Sequence, residues 1–182
     1  MSKPFTKLIV SLLLIVIATV MQVNRLYAGP ITDRDKLGDV YMIASVFWAY
    51  GMSVSESGYE APLQFTASLA SSQLIVEGLK RTMKQERPDG SDNYSFPSGH
   101  SAAAFSGATF VHKRYGWKSA LIPYALAGVT AWSRVDLNKH YWRDVIAGAA
   151  ISGVCTLVIV SNENSGLQLS ASPGYIRFKV TF

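Results

Sequence analysis

The sequence predicts an all-α protein: a helical bundle of about five core helices behind an N-terminal signal or anchor segment, with a short C-terminal β-hairpin-like tail. Three observations predict it. At 182 residues the chain suits one domain. Hydrophobic residues make up 49% and charged residues only 16%, against roughly 25% charged in an average soluble domain. That composition excludes a disordered or polar chain and points to a large apolar core or a membrane location. Clusters of turn formers then cut the remainder into helix-length apolar stretches. The expected division is a leader over 1–28, a helical domain over 29–165 and a tail over 166–182.

The leader comes first. Lys3 and Lys7 form a basic start, residues 8–20 are almost wholly apolar, and Leu26-Tyr27-Ala28 places a small residue before Gly29-Pro30. A cleaved secretory signal and a retained anchor both fit this pattern. The 13 residues of 8–20 cover ~20 Å as a helix, short of the ~30 Å hydrocarbon core, which favours cleavage. Either way the rest of the chain is expected to be exported. Lys3, Lys7 and Arg25 supply much of the net charge of +5; the remainder carries 14 basic residues against 12 acidic ones. The high pI is therefore no nucleic-acid footprint. Cys155 is the single cysteine, which excludes an intrachain disulfide and a cysteine-based zinc site.

Five helices follow. The first is expected over about 36–52, ending near Gly51 and a polar stretch that contains Glu56. The second starts near Ala61-Pro62, where proline suits a first turn, and runs to about residue 84. The loop Arg87-Pro88-Asp89-Gly90-Ser91-Asp92-Asn93 separates it from a third helix over 98–115. The fourth is expected over 118–133 and the fifth, the most apolar, over 141–160. In the tail, residues 175–182 alternate polar and apolar, a strand pattern; Ser172-Pro173-Gly174 supplies a turn, and Leu167 and Leu169 start a partner strand.

Whether these helices cross a bilayer is closely balanced. The third and fourth span ~27 and ~24 Å, marginal for crossing, and the second carries Gln64, Gln73 and Glu77 among serines. Lys113, Arg114 and Lys118 share one end with Glu56 and Glu60, so the positive-inside signal is mixed. The mean hydropathy of +0.18 includes the leader, and the expectation leans only slightly towards a membrane-embedded or membrane-associated bundle rather than a soluble periplasmic one.

Three clusters carry chemistry. Lys80 and Arg87-Pro88 are seven positions apart, nearly two helical turns, which predicts two cations on one face at the second helix's end. Taken alone, a solvated basic helix end is the commoner meaning. Pro97-Ser98-Gly99-His100 opens the third helix; Ser98 is a capping residue, Gly99 permits close approach to the backbone, and free N–H groups there attract anions. Alone, it reads as an ordinary capped start. Ser133-Arg134, His140 and Asp144 form the third cluster. His140 and Asp144 are four apart, so on the fifth helix the carboxylate reaches one imidazole nitrogen and leaves the other free to attack.

Together these residues resemble the type 2 phosphatidic acid phosphatase superfamily, which includes bacterial acid phosphatases and vanadium haloperoxidases. Its signature, Lys-x6-Arg-Pro, Pro-Ser-Gly-His and Ser-Arg-x5-His-x3-Asp, is met at Lys80, Arg87, Pro88, Pro97, Ser98, Gly99, His100, Ser133, Arg134, His140 and Asp144 without departure. The resemblance implies an all-helical, metal-free and cofactor-free phosphatase working through a phosphohistidine. It implies that His140 is the nucleophile, His100 the proton donor and Asp144 the orienting carboxylate. Lys80, Arg87, Ser98, Gly99 and Arg134 would bind phosphate. Both histidines are expected to titrate near neutrality, and Asp89, Asp92 and His112 are given no role.

The implied substrate is a phosphomonoester or pyrophosphate, a lipid phosphate by preference. The site would face the periplasm from the inner membrane, with no nucleic-acid partner. The alternatives are a soluble periplasmic acid phosphatase of broad specificity and, from a different class, a haloperoxidase holding vanadate, disfavoured because that branch is generally much longer.

Overall fold

The computed structural model describes residues 33–56, 58–161, 167–172 and 175–180. The leader with its cleavage point, both expected domain boundaries and the Pro173-Gly174 turn lie outside the described residues. Five helices form the body: α1 (Asp33–Ser55), α2 (Glu60–Met83), α3 (Gly99–Tyr115), α4 (Leu121–Asp136) and α5 (Trp142–Ile159). They are the five expected helices, with ends displaced by a few residues. The shifts reach three residues at each end of α1 and of α4, which starts at Leu121 after a turn over 117–120 and runs three residues beyond Ser133. Past α5, β1 (Leu167–Ser172) and β2 (Tyr175–Val180) run antiparallel, with Leu167 opposite Val180 and Ser172 opposite Tyr175.

Helix α3 is the axis of the bundle and packs on all four of the others. Its buried positions are mostly small: Gly99, Ser101, Ala102, Ala103, Ala104, Ser106, Gly107 and Ala108. Small side chains let backbones approach, and α1 comes close enough for Ser45 to donate a 2.8 Å hydrogen bond to the Ala104 carbonyl. Phe65 and Phe110, with ring centroids 4.8 Å apart, fill the space between α2 and α3, and Tyr50 meets Phe65 edge-on at 4.6 Å.

Beside this apolar core the bundle buries polar side chains and leaves large apolar ones outside. Ser45, Gln64, Ser68, Ser72, Ser106, Thr130, Ser152 and Thr156 are fully buried, whereas Phe47, Trp48, Leu74, Ile75, Leu121, Trp132, Ile146, Val154, Leu157 and Val158 are exposed. The interior hydroxyls bond to each other, as in the Ser68–Ser106 and Ser68–Thr156 pairs, or to carbonyls one turn back. The polar residues of α2 that argue in sequence against a lipid-facing helix thus include several that point inward. Helix α5 is long and apolar enough over Trp142–Ile159 to cross a membrane, and so is α1 over Lys36–Ser55. Arg114, one of the cations behind the mixed charge signal, makes a two-pronged pair with Glu56 at 2.6 and 2.8 Å and also reaches the Ser161 carbonyl. It ties helix ends together and says little about orientation.

Because the helices alternate in direction, the beginnings of α1, α3 and α5 and the ends of α2 and α4 meet at one end of the bundle. All three clusters lie there.

Candidate active site

The site is assembled from helix ends. Lys80 lies in the last turn of α2, and Lys84 ends that helix in the left-handed region at φ 44°. Arg87 therefore lies off the helix, in the loop beyond, and the expectation of two cations on one helical face is corrected: the chain reverses before reaching it. Lys80 Nζ donates to the Tyr94 carbonyl at 2.8 Å. Arg87 Nε donates to Asp92 Oδ1 at 2.8 Å and its Nη1 to the Lys139 carbonyl at 3.1 Å. Burial, with Arg87 next to it, lowers the Lys80 ammonium to about 8.

Ser98 caps α3 in an extended conformation, its hydroxyl accepting from the Ser101 N–H at 3.4 Å, and Gly99 is the first helical residue. His100 follows with Nε2 2.6 Å from Asp39 Oδ1 and 3.3 Å from Arg134 Nη1. Arg134 ends α4 in a buried position, and its carbonyl accepts from the N–H groups of Lys139 and His140 at 3.0 and 3.1 Å.

His140 does not lie on α5. Tyr141 is the helix cap and Asp144 the third helical residue, so the i,i+4 pairing on one helix is corrected to a capping arrangement. Asp144 Oδ2 accepts from the Tyr141 N–H at 3.0 Å and from the Ser95 hydroxyl at 2.5 Å. The same oxygen stands 3.7 Å from His140 Nδ1, too far for a hydrogen bond and close enough for the carboxylate to orient a proton on that nitrogen. The other nitrogen, Nε2, faces Arg87 Nη1 at 3.5 Å. A lone pair there, with the proton on Nδ1, is the arrangement a nucleophile needs.

Neither histidine is poised near neutrality. Burial lowers His140 to about 3, aided by the Lys80 and Arg87 charges and opposed by Asp144. Burial likewise lowers His100 to about 4, with Asp39 opposing and Arg134 and Lys80 assisting. In the ligand-free site both rings are neutral at pH 7, because burial and the crowd of cations disfavour a further positive charge. The same crowd favours an anion. Lys80, Arg87 and Arg134 bring three positive charges to two neutral imidazoles. Among the described residues, no three His, Cys, Asp or Glu side chains converge in a way that could hold a metal ion.

Several positioning residues escaped the sequence reading. Asp92 and Asp89, read as bystanders, hold Arg87 and Lys139 at 2.8 and 2.7 Å. Their signal was present, two acids in a loop that starts with a motif arginine. Ser95 and Asp39 gave no local signal, since Asp39 is some sixty residues from the histidine it touches. His112 is exposed near Tyr124 and takes no part.

A family model described as the PAP2 superfamily matches residues 61–165, more than half of the chain. The chain belongs to the PAP2 superfamily. Among relatives, a lipid A 1-phosphatase of Porphyromonas gingivalis is 40% identical over 80 residues, covering 42% of this chain and 18% of that protein. A lipid A 4'-phosphatase of Helicobacter pylori is 31% identical over 129 residues, covering 65% of each chain. This PAP2 chain thus spans less than two thirds of the length of either relative. The crystal structure of Aquifex aeolicus LpxE aligns over 76% of this chain and 92% of its own at 20% identity and a TM-score of 0.49, a likeness too coarse to carry detail.

Proposed function

We propose that this chain is a metal-free phosphatase of lipid phosphates, acting through a phosphohistidine at the periplasmic face of the inner membrane. The observation that carries the reading is the meeting of Lys80, Arg87 and Arg134 with the neutral imidazoles of His100 and His140 at one end of an apolar-surfaced bundle. Three buried cations match a phosphate dianion and the charge on the equatorial oxygens during transfer. His140 Nε2 attacks phosphorus in line; the N–P bond forms as the bond from phosphorus to the leaving oxygen breaks. His100, protonated once the dianion is bound, gives its proton to that oxygen. In the second step water attacks phosphorus, the N–P bond breaks and His100 takes the water's proton. Ser98 and the start of α3 add dipolar donors for the phosphate oxygens.

Lipid phosphate as the substrate class is supported by the likeness to two lipid A phosphatases and by the large apolar side chains exposed on the bundle. Export follows from the leader-like first 28 residues and would put the site on the outer side. The test is to trap the intermediate on membranes. Carbonate-washed membranes given radiolabelled lipid phosphate should yield an acid-labile, base-stable phosphohistidine that detergent extracts with the protein. His140→Ala should abolish both label and turnover. Undiminished label in His140→Ala, or label released by carbonate alone, would contradict the reading.

A further inference from the structure

The site contains an acid that no motif announces. Asp39 lies in the second turn of α1, upstream of the residues matched by the family model, and its Oδ1 is 2.6 Å from His100 Nε2. The same oxygen is 3.8 Å from Arg134 Nη1. Asp39 is 39% exposed while His100 is only 12% exposed, so the carboxylate is the more solvent-facing of the pair. The backbone is brought there by its neighbour. A Cβ at Gly38 would lie 2.6 Å from Ser133 Oγ and 3.1 Å from Arg134 Nη2, so only glycine lets α1 sit this close to the end of α4.

We infer that Asp39 is a positioning residue for proton transfer, holding His100 Nε2 and sustaining the imidazolium that must protonate the leaving oxygen. The inference deepens the phosphatase reading and rests on it. A general acid in this position faces a difficulty that the geometry makes plain. His100 is buried beside Arg134 and within the field of Lys80, both of which oppose a positive ring. A neutral imidazole cannot give its remaining proton to an alkoxide at useful cost, so the charged form must be supported. The bound phosphate provides part of that support, and the Asp39 carboxylate provides the rest from the other side of the ring. As the P–O bond breaks, charge develops on the leaving oxygen, which takes the proton of the ring's other nitrogen, Nδ1; the ring returns to neutral with Nε2–H still donated to Asp39, ready for the water step. The carboxylate itself forms no bond to phosphorus and keeps its electrons throughout.

This role has a signature that a structural contact lacks. Protonation matters in proportion to how poor the leaving group is. An alkyl phosphate leaves as an alkoxide and needs the proton; p-nitrophenyl phosphate leaves as a stabilised phenolate and hardly needs it. The experiment compares kcat/KM for one alkyl phosphate and for p-nitrophenyl phosphate in detergent-solubilised full-length protein, with vanadate binding as the check on folding. Asp39→Asn, nearly isosteric, should lose about tenfold or more on the alkyl ester and little on the aryl ester, while binding vanadate at least as well as wild type. Asp39→Glu, which keeps the charge, should restore much of the ratio. Equal losses on both esters, an unchanged ratio, or loss of vanadate binding in Asp39→Asn would overturn the assignment while leaving the phosphatase reading intact. A wild-type protein inactive on both esters would overturn that reading and this assignment with it.

Discussion

At the scale of single residues, the site works by dividing labour among oxygens and nitrogens that are a few ångströms apart. Asp144 illustrates it. One of its oxygens accepts from Ser95 and from the Tyr141 N–H while facing His140 Nδ1, so a single carboxylate caps α5, anchors the loop before α3 and stands beside the proposed nucleophile. Asp144→Asn keeps an acceptor for the cap and removes the charge facing the imidazole. Vanadate affinity should stay roughly unchanged, since the carboxylate does not contact the anion-binding cations Lys80, Arg87 or Arg134, while phosphoenzyme formation should slow. By analogy with orienting carboxylates in other nucleophilic sites, the loss is on the order of 10²–10⁴. Arg134→Ala should instead weaken vanadate binding together with the rate. Single-turnover labelling and vanadate titration on both variants separate the roles, and equal loss of vanadate affinity in the two would show that Asp144 serves binding.

At the scale of elements, the site depends on how closely α5 and α3 approach. The Ser98 N–H donates to the Asp144 carbonyl at 2.9 Å, and a Cβ at Gly148 would run into the Ser98 carbonyl. Gly148→Ala must therefore push α5 away from the start of α3, at a cost of about 1–3 kcal/mol. Gly153→Ala, on the same helix with nothing within 4 Å of the new carbon, should be neutral or stabilising by about 0.5–1 kcal/mol. Thermal unfolding of the two variants tests this directly, and equal Tm values would refute the close-approach argument. The same elements explain what could be read in advance. Helix existence was legible because proline, glycine and loop acids punctuate long apolar runs, and the three clusters were legible because spacing within each is local. The helix-face geometry expected for Lys80 with Arg87 and for His140 with Asp144 failed because backbone reversals at Lys84 and Asn138, both at positive φ, leave little trace in a periodicity. Asp39 was out of reach for a different reason. Its partner is set by how α1 crosses α4, and the small residue that permits the crossing, Gly38, looks in sequence like any other glycine.

At the scale of the whole molecule, the bundle concentrates positive charge at one buried end. Stability should therefore depend on pH in a direction that can be worked out. His100 and His140 are lowered to about 4 and about 3 from 6.5, so between those values the unfolded chain binds protons that the folded one refuses. Stability then rises with pH across that window, and falls as pH drops below about 6.5. Lys80, lowered to about 8 from 10.5, adds a second window of the same sign: above about 8 the folded chain has released a proton that the unfolded chain still holds. An anion in the site reverses the logic, because it pairs with the protonated rings and makes their charge favourable. Vanadate should accordingly raise Tm, and raise it more at about pH 5 than at about pH 7, flattening the dependence below 6.5. Replacing both histidines by glutamine should flatten the ligand-free curve in that window too, since the groups that titrate are gone. The measurement is Tm against pH, with and without vanadate, for wild type and the double variant. A ligand-free Tm that rises as pH falls from about 6.5, or a vanadate effect that shrinks on acidification, would mean that the two imidazoles are not held neutral by burial and the cations around them.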